Sequence, residues 1–544
     1  MQFKIIDGLG PFVKQEAKVT NWSKVPFSYY EEMADPKKAF AGITDRFNQF
    51  CQRVNQIGYN AISLDDLAHL VILDFYPDQL KKKLTAWQEL YKQLISIAKE
   101  ADLQVFINTD IMFFNREIRD YCQENPDKNI EVIEKSLNQL FRNFEVAGII
   151  TRIGEADGID VRGWFKSQVV IKKPQQANYY IKKILPLLEQ RQKYWLFRTW
   201  TIGQGTIGDL IWNEKTYQKT FQGVNSDFFI LSMKYGQADF FRQLELNPLF
   251  DQPGLKKIIE LQSKREYEGL GRLPFYTGWQ YEKYYKKLKD NNLVGIMVWC
   301  QTGGWGKSNQ ITFLDNSSPW VELNTISTLQ IFSGQQANAA LADFFPSEEM
   351  KQFIAQYNKI SAGLLYPKNP VRKYFQQLRL PAPIWFYWTN LTVNDLLASY
   401  LNFFYDGPTE ITEDDLASLY QLGQTAKVPD LEFIMDTLRV IFDARNCLDG
   451  NDSLPQLRQQ ITEHNHKYPN WLQANVGKSA RPNSFLTWFM RKIFRNQQGY
   501  RWVDRFIFGK PVLKLFYRIA IWIYPNYFPQ MTNRQATPLD KLLT

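Results

Sequence analysis

Leu103-Gln104-Val105-Phe106-Ile107 is a short apolar run that follows a long amphipathic pattern at residues 79–98. Apolar residues at helical spacing predict a helix over 79–98, and the compact run after it predicts a buried strand. A second helical pattern covers residues 129–144, and it too precedes a short apolar run. This alternation is typical of repeated βα units, in which helices cover a parallel sheet.

Eight such strands are predicted in the first three hundred residues. They cover residues 18–22, 59–64, 103–109, 148–153, 194–200, 227–233, 257–262 and 294–300. Eight is the number that a closed (β/α)8 TIM barrel requires. The pattern at 257–262 is also compatible with a helix, and a doubly wound open sheet is the alternative architecture for the whole alternation.

The pattern changes after Gly303-Gly304-Trp305-Gly306, where helical signals replace strand signals. We therefore expect an α/β chain with three parts: a (β/α)8 TIM barrel at residues 1–310, a mostly helical carboxy-terminal domain at 311–480, and a basic, aromatic and amphipathic tail at 481–544. No apolar run reaches the roughly 18 residues that a transmembrane helix needs.

Histidine and cysteine are scarce in this chain. It has three histidines and four cysteines, and the cysteines lie far apart without a CxxC pair. These features argue against histidine-bound metals, a zinc site and a disulfide framework. Carboxylates are left as the expected catalysts, and we expect neither a metal nor an organic cofactor.

The net charge of +9 comes mainly from one segment. Residues 484–530 hold eight Lys or Arg and one acid, which gives +7 of that total. A nucleic-acid binder would spread or stripe its positive charge over a recognisable module, and the sequence shows no such module. We therefore expect no nucleic-acid partner.

The basic segment interleaves charged, apolar and aromatic residues, as in Trp488-Phe489-Met490-Arg491-Lys492. Such a pattern is typical of a helix in a membrane interface, and it predicts attachment to an anionic membrane surface. An amphipathic helix packed on the helical domain, or on a partner subunit of a homo-oligomer, explains it equally well. Residues 1–12 lack the features of a secretory signal, so we expect a cytoplasmic protein, peripheral on the inner membrane face.

Three acids, Glu155, Asp239 and Glu266, lie just after the fourth, sixth and seventh predicted strands. In a parallel barrel, residues at the carboxyl ends of the strands converge on one mouth. Two carboxylates about 6.5–9.5 Å apart can cleave a glycoside with inversion, one as acid and one as base. Taken singly, each of these acids is more readily explained as a surface carboxylate paired with a nearby base.

The acids lie within a composite pattern. It comprises Lys234-Tyr235-Gly236-Gln237-Ala238-Asp239-Phe240, Asn247-Pro248-Leu249-Phe250, Glu260-Leu261-Gln262 and Glu266-Tyr267, and more loosely Asn21-Trp22, Gly58-Tyr59-Asn60-Ala61-Ile62 and Phe197-Arg198-Thr199-Trp200. These motifs resemble those of the family-67 glycoside hydrolases, the α-glucuronidases. The resemblance covers about residues 19–306, and the family's amino-terminal β domain has no counterpart in this sequence.

The resemblance implies a role for each acid. Glu155 falls on the general acid, while Asp239 and Glu266 fall on the two acids that activate water. It also implies that Arg198 and Lys234 hold the carboxylate of a uronic acid, for which a guanidinium fork and a compact ammonium are suited. For Arg198, an ion pair inside the barrel mouth is an equally good explanation.

A third basic position of the family falls on Thr151 in this chain, and Arg152 is its neighbour. On a strand, a shift by one residue turns the side chain to the opposite face. Arg152 therefore cannot be assumed to replace the missing base, although it stays a candidate for binding the substrate. The sequence therefore supports the preference for an acidic sugar less than it supports the glycoside hydrolase activity.

Aromatic residues near strand ends are candidates for stacking on a sugar ring. Trp22, Trp279, Trp299 and Trp305 qualify, and so does Tyr267 beside Glu266. For each ring alone, core packing is the commoner explanation. Trp305 is the best candidate, because its glycine neighbours leave a ring accessible.

The sequence therefore predicts a glycoside hydrolase, inverting, that cleaves an α-linked uronic acid or a related acidic sugar from an oligosaccharide or polysaccharide. Two alternatives remain open. One is a non-catalytic barrel that binds a polysaccharide intermediate in a membrane-associated assembly. The other is a transferase that uses the same acids but delivers the sugar to an acceptor other than water.

Overall fold

A computed structural model of the protein describes residues 1–8, 36–154, 165–167, 170–201, 206–208, 210–236, 240, 246–265, 268–269, 271–288, 291–300, 312–314, 317–365, 410–449 and 454–468. Eight parallel strands form a barrel: β1 (Phe3–Asp7), β2 (Ala61–Asp65), β3 (Gln104–Asp110), β5 (Gly148–Arg152), β7 (Tyr194–Arg198), β8 (Phe229–Lys234), β9 (Lys256–Gln262) and β10 (Leu293–Trp299). The barrel is closed in the order β1-β2-β3-β5-β7-β8-β9-β10, with β10 paired to β1. Two further short strands, β4 (Phe113–Phe114) and β6 (Lys166–Ser167), pair antiparallel outside the barrel.

Closure of the sheet confirms the predicted TIM barrel and excludes the doubly wound alternative. Seven of the eight predicted strands match barrel strands to within two residues at each end, including 257–262, which is a strand and not a helix. The first prediction, residues 18–22, is wrong as a barrel strand, because Phe3–Asp7 pairs with both β2 and β10 and completes the ring. Residues 18–22 themselves lie outside the described part of the chain.

Helices follow the strands around the barrel. They are α1 (Pro36–Ile57), α2 (Asp78–Glu100), α3 (Arg116–Cys122), α4 (Pro126–Asn143), α5 (Pro174–Gln190), α6 (Glu214–Phe221), α7 (Gly278–Leu288) and α8 (Pro319–Phe332). The two helices predicted at 79–98 and 129–144 correspond to α2 and α4. Two local features fix the start of helix α4. The Asn125 side chain accepts a hydrogen bond from Asp127 N at 2.9 Å, and Pro126 takes the first helical position.

Helix α8 packs on the barrel and not away from it. Its Thr325 carbonyl accepts a hydrogen bond from Tyr59 Oη at 2.8 Å, and its Asn324 Oδ1 accepts one from Thr277 N at 2.9 Å. The outer layer of the barrel therefore extends beyond the boundary expected at residue 310.

The chain continues with helices, as predicted: α9 (Ala337–Phe344), α10 (Glu348–Leu365), α11 (Glu413–Thr425), α12 (Leu431–Asp449) and α13 (Leu454–Lys467). They contact the barrel through the loop before α7. Tyr276 Oη donates to Ala337 O at 2.6 Å, and the Arg272 guanidinium lies 3.9 Å from the centroid of the Phe433 ring. The exact limits of the helical domain and of the tail stay predictions.

The interior of the barrel changes character from one end to the other. At the amino ends of the strands, the Phe3 ring packs edge-on against Phe106 and Tyr194, at 5.8 and 4.9 Å between centroids. These rings close that end with apolar surface. At the carboxyl ends, the interior side chains are charged or hydrogen-bonding, so the polar groups converge on the mouth where TIM barrels carry their active sites.

Candidate active site at the barrel mouth

A buried ion pair lies on one side of the mouth. Arg198, the last residue of β7, donates from Nε and Nη2 to the two carboxylate oxygens of Glu260 on β9, both at 2.8 Å. Ser232 on the intervening strand β8 donates from Oγ to the same carboxylate at 2.9 Å. Side chains from three successive strands meet here, which is feasible only on the inner face of the barrel. The fork-to-carboxylate geometry is the strong, orienting type.

Glu260 is ionised in this setting. Its side chain has no exposed surface, and burial alone would raise the pKa of its carboxyl. The charge and hydrogen bonds of Arg198, helped by Lys234 and Ser232, outweigh that effect and lower the pKa below its ordinary value. The Arg198 guanidinium also lies 4.8 Å from the centroid of the Trp299 ring at the end of β10. Arg198 is thus fixed by an acid and by an aromatic face.

Lys234, the last residue of β8, is the second cation of the mouth and is only 5% exposed. Its ammonium lies 3.6 Å from the centroid of the Trp200 ring and 4.5 Å from that of Phe240. Aromatic faces attract a cation without neutralising its charge. Lys234 also acts on Glu260, since its charge helps to lower the pKa of that carboxyl. It lies at the position that the resemblance implied for binding an acidic group.

Arg152 supplies a third cation on the inner face. It stands in register with Asp110 on β3, and its Nε donates to the Asp110 carboxylate at 2.7 Å. Thr151 faces the other way, because its Oγ1 accepts a hydrogen bond from the Trp195 indole, whose ring packs with Phe197 and Phe229. Of the two neighbours, Arg152 is the one that lies on the inner face with Arg198.

The opposite side of the mouth, on β1 to β3, is lined by carboxylates. Asp7 at the end of β1 accepts a hydrogen bond from the Cys300 backbone N at 2.6 Å. Asp65 at the end of β2 accepts one from Asn108 Nδ2 at 2.6 Å. Both acids are at most 7% exposed. With Asp110 and Glu260, four acids and the three cations line the mouth.

The residues predicted as catalysts, Glu155, Asp239 and Glu266, lie outside the described part of the chain, and so do Trp22, Trp305 and Tyr267 among the predicted substrate-binding residues. The structure does describe the points at which the chain leaves the barrel towards the three acids. Strand β5 passes into Gly154, whose φ of 144° is a conformation that glycine adopts readily. Strand β8 passes into Tyr235 and Gly236, and β9 into Ser263, Lys264 and Arg265.

The far end of the segment that contains Glu155 is held in an aromatic cluster. Phe165 is fully buried and lies 5.4 Å from the His69 ring and 5.8 Å from Phe113, centroid to centroid. His69 is itself held by Asp66, whose carboxylate lies 2.8 Å from Nδ1. The two described residues that flank this segment, Gly154 and Phe165, therefore both lie beside the mouth.

Sequence reasoning missed Glu260, Asp110, Asp65 and Asp7 as parts of the mouth. Asp7 was missed because residues 1–12 were not predicted to contain a strand. For the others a signal was present: a charged residue at an alternate position of an otherwise apolar strand, as in the fully buried Ile258, Ile259, Glu260 and Leu261. Such a residue faces the barrel interior when its neighbours face the helices.

Among the residues that the structure describes, no group of three or more His, Cys, Asp or Glu side chains is arranged to hold a metal ion. Among the same residues, none of the helices is both long and apolar enough to cross a membrane.

No protein-family model matches the chain, and no curated protein matches it. Solved structures with a similar fold include a GH138 enzyme targeting pectin rhamnogalacturonan II, at 12% identity and a TM-score of 0.44, over 85% of this chain and 58% of that enzyme. CpGH84B matches at 12% identity and a TM-score of 0.39, over 84% of this chain and 83% of that one. D-psicose 3-epimerase from Clostridium cellulolyticum H10 matches at 11% identity and a TM-score of 0.31, over 53% of this chain and 92% of that one. This chain thus spans less than two thirds of the length of the GH138 enzyme.

Proposed function

We propose that the protein is a glycoside hydrolase that acts at the carboxyl-terminal mouth of its barrel on an α-linked uronic acid or a related acidic sugar. The observation that carries the proposal is the polar inner face of that mouth, where Arg198, Lys234 and Glu260 meet beside the Trp299 ring. A sugar acid offers a carboxylate, hydroxyls and an apolar ring face. These groups match the cations, acids and aromatic rings at the mouth.

The cations support an acidic substrate. Lys234 lies in a buried setting beside aromatic rings, where charged groups interact strongly. Arg198 is oriented by Glu260 on the neighbouring part of the same wall. A uronic carboxylate that entered this part of the mouth would meet a region that carries both cations.

Cleavage would be carried out by the carboxylates of the loops. In this proposal Glu155, after β5, protonates the leaving oxygen, while Asp239, after β8, and Glu266, after β9, orient and deprotonate a water molecule. Strands β5 and β8 are separated by β7, and β8 is adjacent to β9. This order of strands supports a gap between the general acid and two neighbouring acids, as inversion requires.

The proposal is tested by turnover of a panel of uronosyl oligosaccharides by the wild-type protein and by Glu155→Gln, Asp239→Asn and Glu266→Gln. Removing a general acid or base lowers kcat by about 10²–10⁴-fold, and we expect losses of that order with unchanged thermal stability. Glu145→Gln is the matched control, since Glu145 is an exposed acid paired with Lys99 far from the mouth. Full activity in all three variants would refute the assignment.

The same variants separate the alternatives. A non-catalytic barrel would bind the panel without turnover, and its affinity would survive the three substitutions. A transferase would lose activity in the same variants as a hydrolase, but its wild-type product would be the transferred sugar on an acceptor and not the free acid. Product identity therefore distinguishes hydrolysis from transfer.

A further inference from the structure

Two buried hydrogen-bond donors in the barrel interior have no partner among the residues that the structure describes. They are Ser63 Oγ on β2 and Trp299 Nε1 at the end of β10. Ser63 is 1% exposed and Trp299 is 8% exposed. Buried hydroxyl and indole N–H groups are normally hydrogen-bonded, because a buried donor without a partner lowers stability. Such donors are retained where a ligand supplies the missing acceptor.

Strand register places Ser63 on the inner face of the barrel. Ser63 is in register with Phe106 on β3 and with Asp7 on β1. Residues in register on neighbouring parallel strands face the same side of the sheet. The Phe106 ring packs on Phe3 inside the barrel, so the Ser63 hydroxyl also faces the interior.

Trp299 faces the interior as well. Its ring lies 4.8 Å from the Arg198 guanidinium, between the ring centroid and the central carbon, and Arg198 belongs to the inner face of the mouth. The preceding residue, Val298, is in register with Ile6 on β1. Trp299 therefore stands beside Asp7, the next residue of that strand.

The Asp7 carboxylate is flanked by the two donors, because β1 lies between β10 and β2 in the barrel. Asp7 is 1% exposed and accepts a hydrogen bond from Cys300 N at 2.6 Å. A carboxylate can accept several hydrogen bonds. Asp65 follows Ser63 by two residues and shares its face of β2. This side of the mouth thus combines a hydroxyl, an indole N–H and carboxylates.

A sugar hydroxyl matches this combination of groups. It can donate one hydrogen bond and accept others, so it can donate to a carboxylate while it accepts from a serine or an indole. The cations Arg198 and Lys234 lie on β7 and β8, away from β1 and β2. The carboxylate of a sugar acid and its ring hydroxyls would therefore meet different parts of the mouth.

We infer that Ser63 and Trp299 form a hydroxyl subsite, in which both donate hydrogen bonds to the ring hydroxyls of a bound pyranose beside Asp7. The inference rests on the proposed function for the identity of the ligand as a sugar. A site built to hydrogen-bond a hydroxyl rejects a ligand that lacks it, because the buried donor is then left without a partner. The subsite therefore selects for ring hydroxyls, whatever the charge of the sugar.

The test measures the binding of two probes to the full chain by calorimetric titration. Methyl α-D-glucuronoside and methyl α-D-glucoside share their ring hydroxyls and differ in the carboxylate. Losing one neutral hydrogen bond weakens binding by about 2- to 12-fold. We expect Ser63→Ala and Trp299→Phe each to raise the Kd of both probes by such a factor. Lys234→Met should raise the Kd of the glucuronoside alone.

Thermal stability separates a hydroxyl kept for a ligand from a structural one. Ser63→Ala removes a donor that has no partner in the described protein, so its Tm should equal or exceed that of the wild type while its affinity falls. Trp299→Phe keeps an aromatic face for Arg198 and removes only the indole donor. Its Tm should likewise stay close to the wild-type value.

The matched controls are Ser136→Ala and Trp195→Phe, which remove buried donors that do have partners. Ser136 Oγ donates to Val132 O at 2.7 Å within helix α4, and Trp195 Nε1 donates to Thr151 Oγ1 at 2.8 Å. Both donors lie outside the mouth. Each control should lower Tm and leave the Kd of both probes unchanged.

The inference is overturned if the wild-type protein binds neither probe, or if both variants bind the probes with the wild-type Kd. It is also overturned if Ser63→Ala lowers Tm as Ser136→Ala does. Failure of the proposed function is seen separately. Binding as expected, with no turnover of the uronosyl panel, removes the hydrolase and leaves the subsite. Turnover of the panel with wild-type Kd in both variants removes the subsite and leaves the hydrolase.

Discussion

At the residue scale, Glu260 supplies the negative charge that faces two cations of the mouth. Glu260→Gln would leave Arg198 buried without its bidentate acid. Breaking one partner of a buried pair costs about 3–5 kcal/mol, and we expect a loss of stability of that order in urea unfolding. The exposed control Glu89→Gln, which removes a surface pair with Lys92, should change stability by less than about 1 kcal/mol. Equal effects of the two substitutions would show that the Arg198–Glu260 pair is not buried as described.

The ionised state of Glu260 also gives a pH dependence with a definite sign. Its pKa is lower in the folded protein than in the unfolded chain, so folding is favoured by this group above the ordinary carboxyl pKa of about 4.3. That contribution is lost as pH falls through the lower, folded-state pKa. The free energy of unfolding therefore loses the contribution of Glu260 at acid pH.

In the proposed function, specificity for an acidic sugar depends most directly on Lys234. A hydrogen bond to a charged group contributes about 1.5–3 kcal/mol. We expect Lys234→Met to raise KM at least about tenfold for a uronosyl substrate, and to leave KM for the corresponding neutral glycoside nearly unchanged. Steady-state kinetics on the matched pair of substrates measures the difference. Equal increases for both sugars would remove the acidic-sugar assignment without touching the hydrolase assignment.

At the scale of elements, the strands could be predicted to the extent that they are buried apolar runs between helices. Strand β3 has that character, and so has β9 apart from Glu260. Strand β1 does not: no helical pattern precedes Phe3–Asp7, and Lys4 interrupts its apolar residues. Its place becomes evident only from pairing with β2 and β10, which is a long-range contact that local sequence does not encode.

The site could be predicted only in part. Arg198 and Lys234 are predicted from the motifs that resemble those of the α-glucuronidases, and both end their strands at the mouth. The acid that pairs with Arg198 does not follow from local sequence, because Glu260 is 62 residues further along the chain. The register of three strands decides that pairing, and a shift of one residue on any of them would abolish it.

Helices α12 and α13 carry a pH-sensitive contact. His464 is buried, and Thr437 Oγ1 lies 2.9 Å from its Nε2. Burial lowers the pKa of His464 to about 4, and Arg272 and Lys467 add to this against the opposing charge of Asp436. The unfolded chain takes up a proton near pH 6.5, so stability is complete above that pH and falls as pH drops towards 4.

We expect His464→Gln to flatten the dependence of Tm on pH between about 6.5 and 4, because the variant has no proton to take up in the unfolded state. His466→Gln is the control, since His466 is exposed on the same helix. Calorimetric scans across that range measure both. Identical slopes for His464→Gln and the wild-type protein would contradict a buried neutral imidazole.

At the scale of the whole molecule, the basic residues of segment 484–544 bear on whether the protein attaches to a membrane. Each Lys or Arg near an anionic bilayer contributes about 1 kcal/mol, and residues 484–530 have a net charge of +7. We expect the full chain to sediment with vesicles that contain anionic lipid, and less so at high salt. Deleting residues 484–544 should abolish that fraction. An unchanged fraction would favour packing of the tail on the protein itself.

The anomeric form of the released sugar tests the reaction proposed for the barrel. It is measured by following the reaction of the wild-type protein with an α-linked uronosyl oligosaccharide by proton NMR from the first minutes. Inversion predicts that the free uronic acid appears first as the β-anomer, before it equilibrates in solution, and that Glu155→Gln releases none in the same time. Initial release of the α-anomer would contradict inversion, and no release from any member of the panel would contradict the glycoside hydrolase itself.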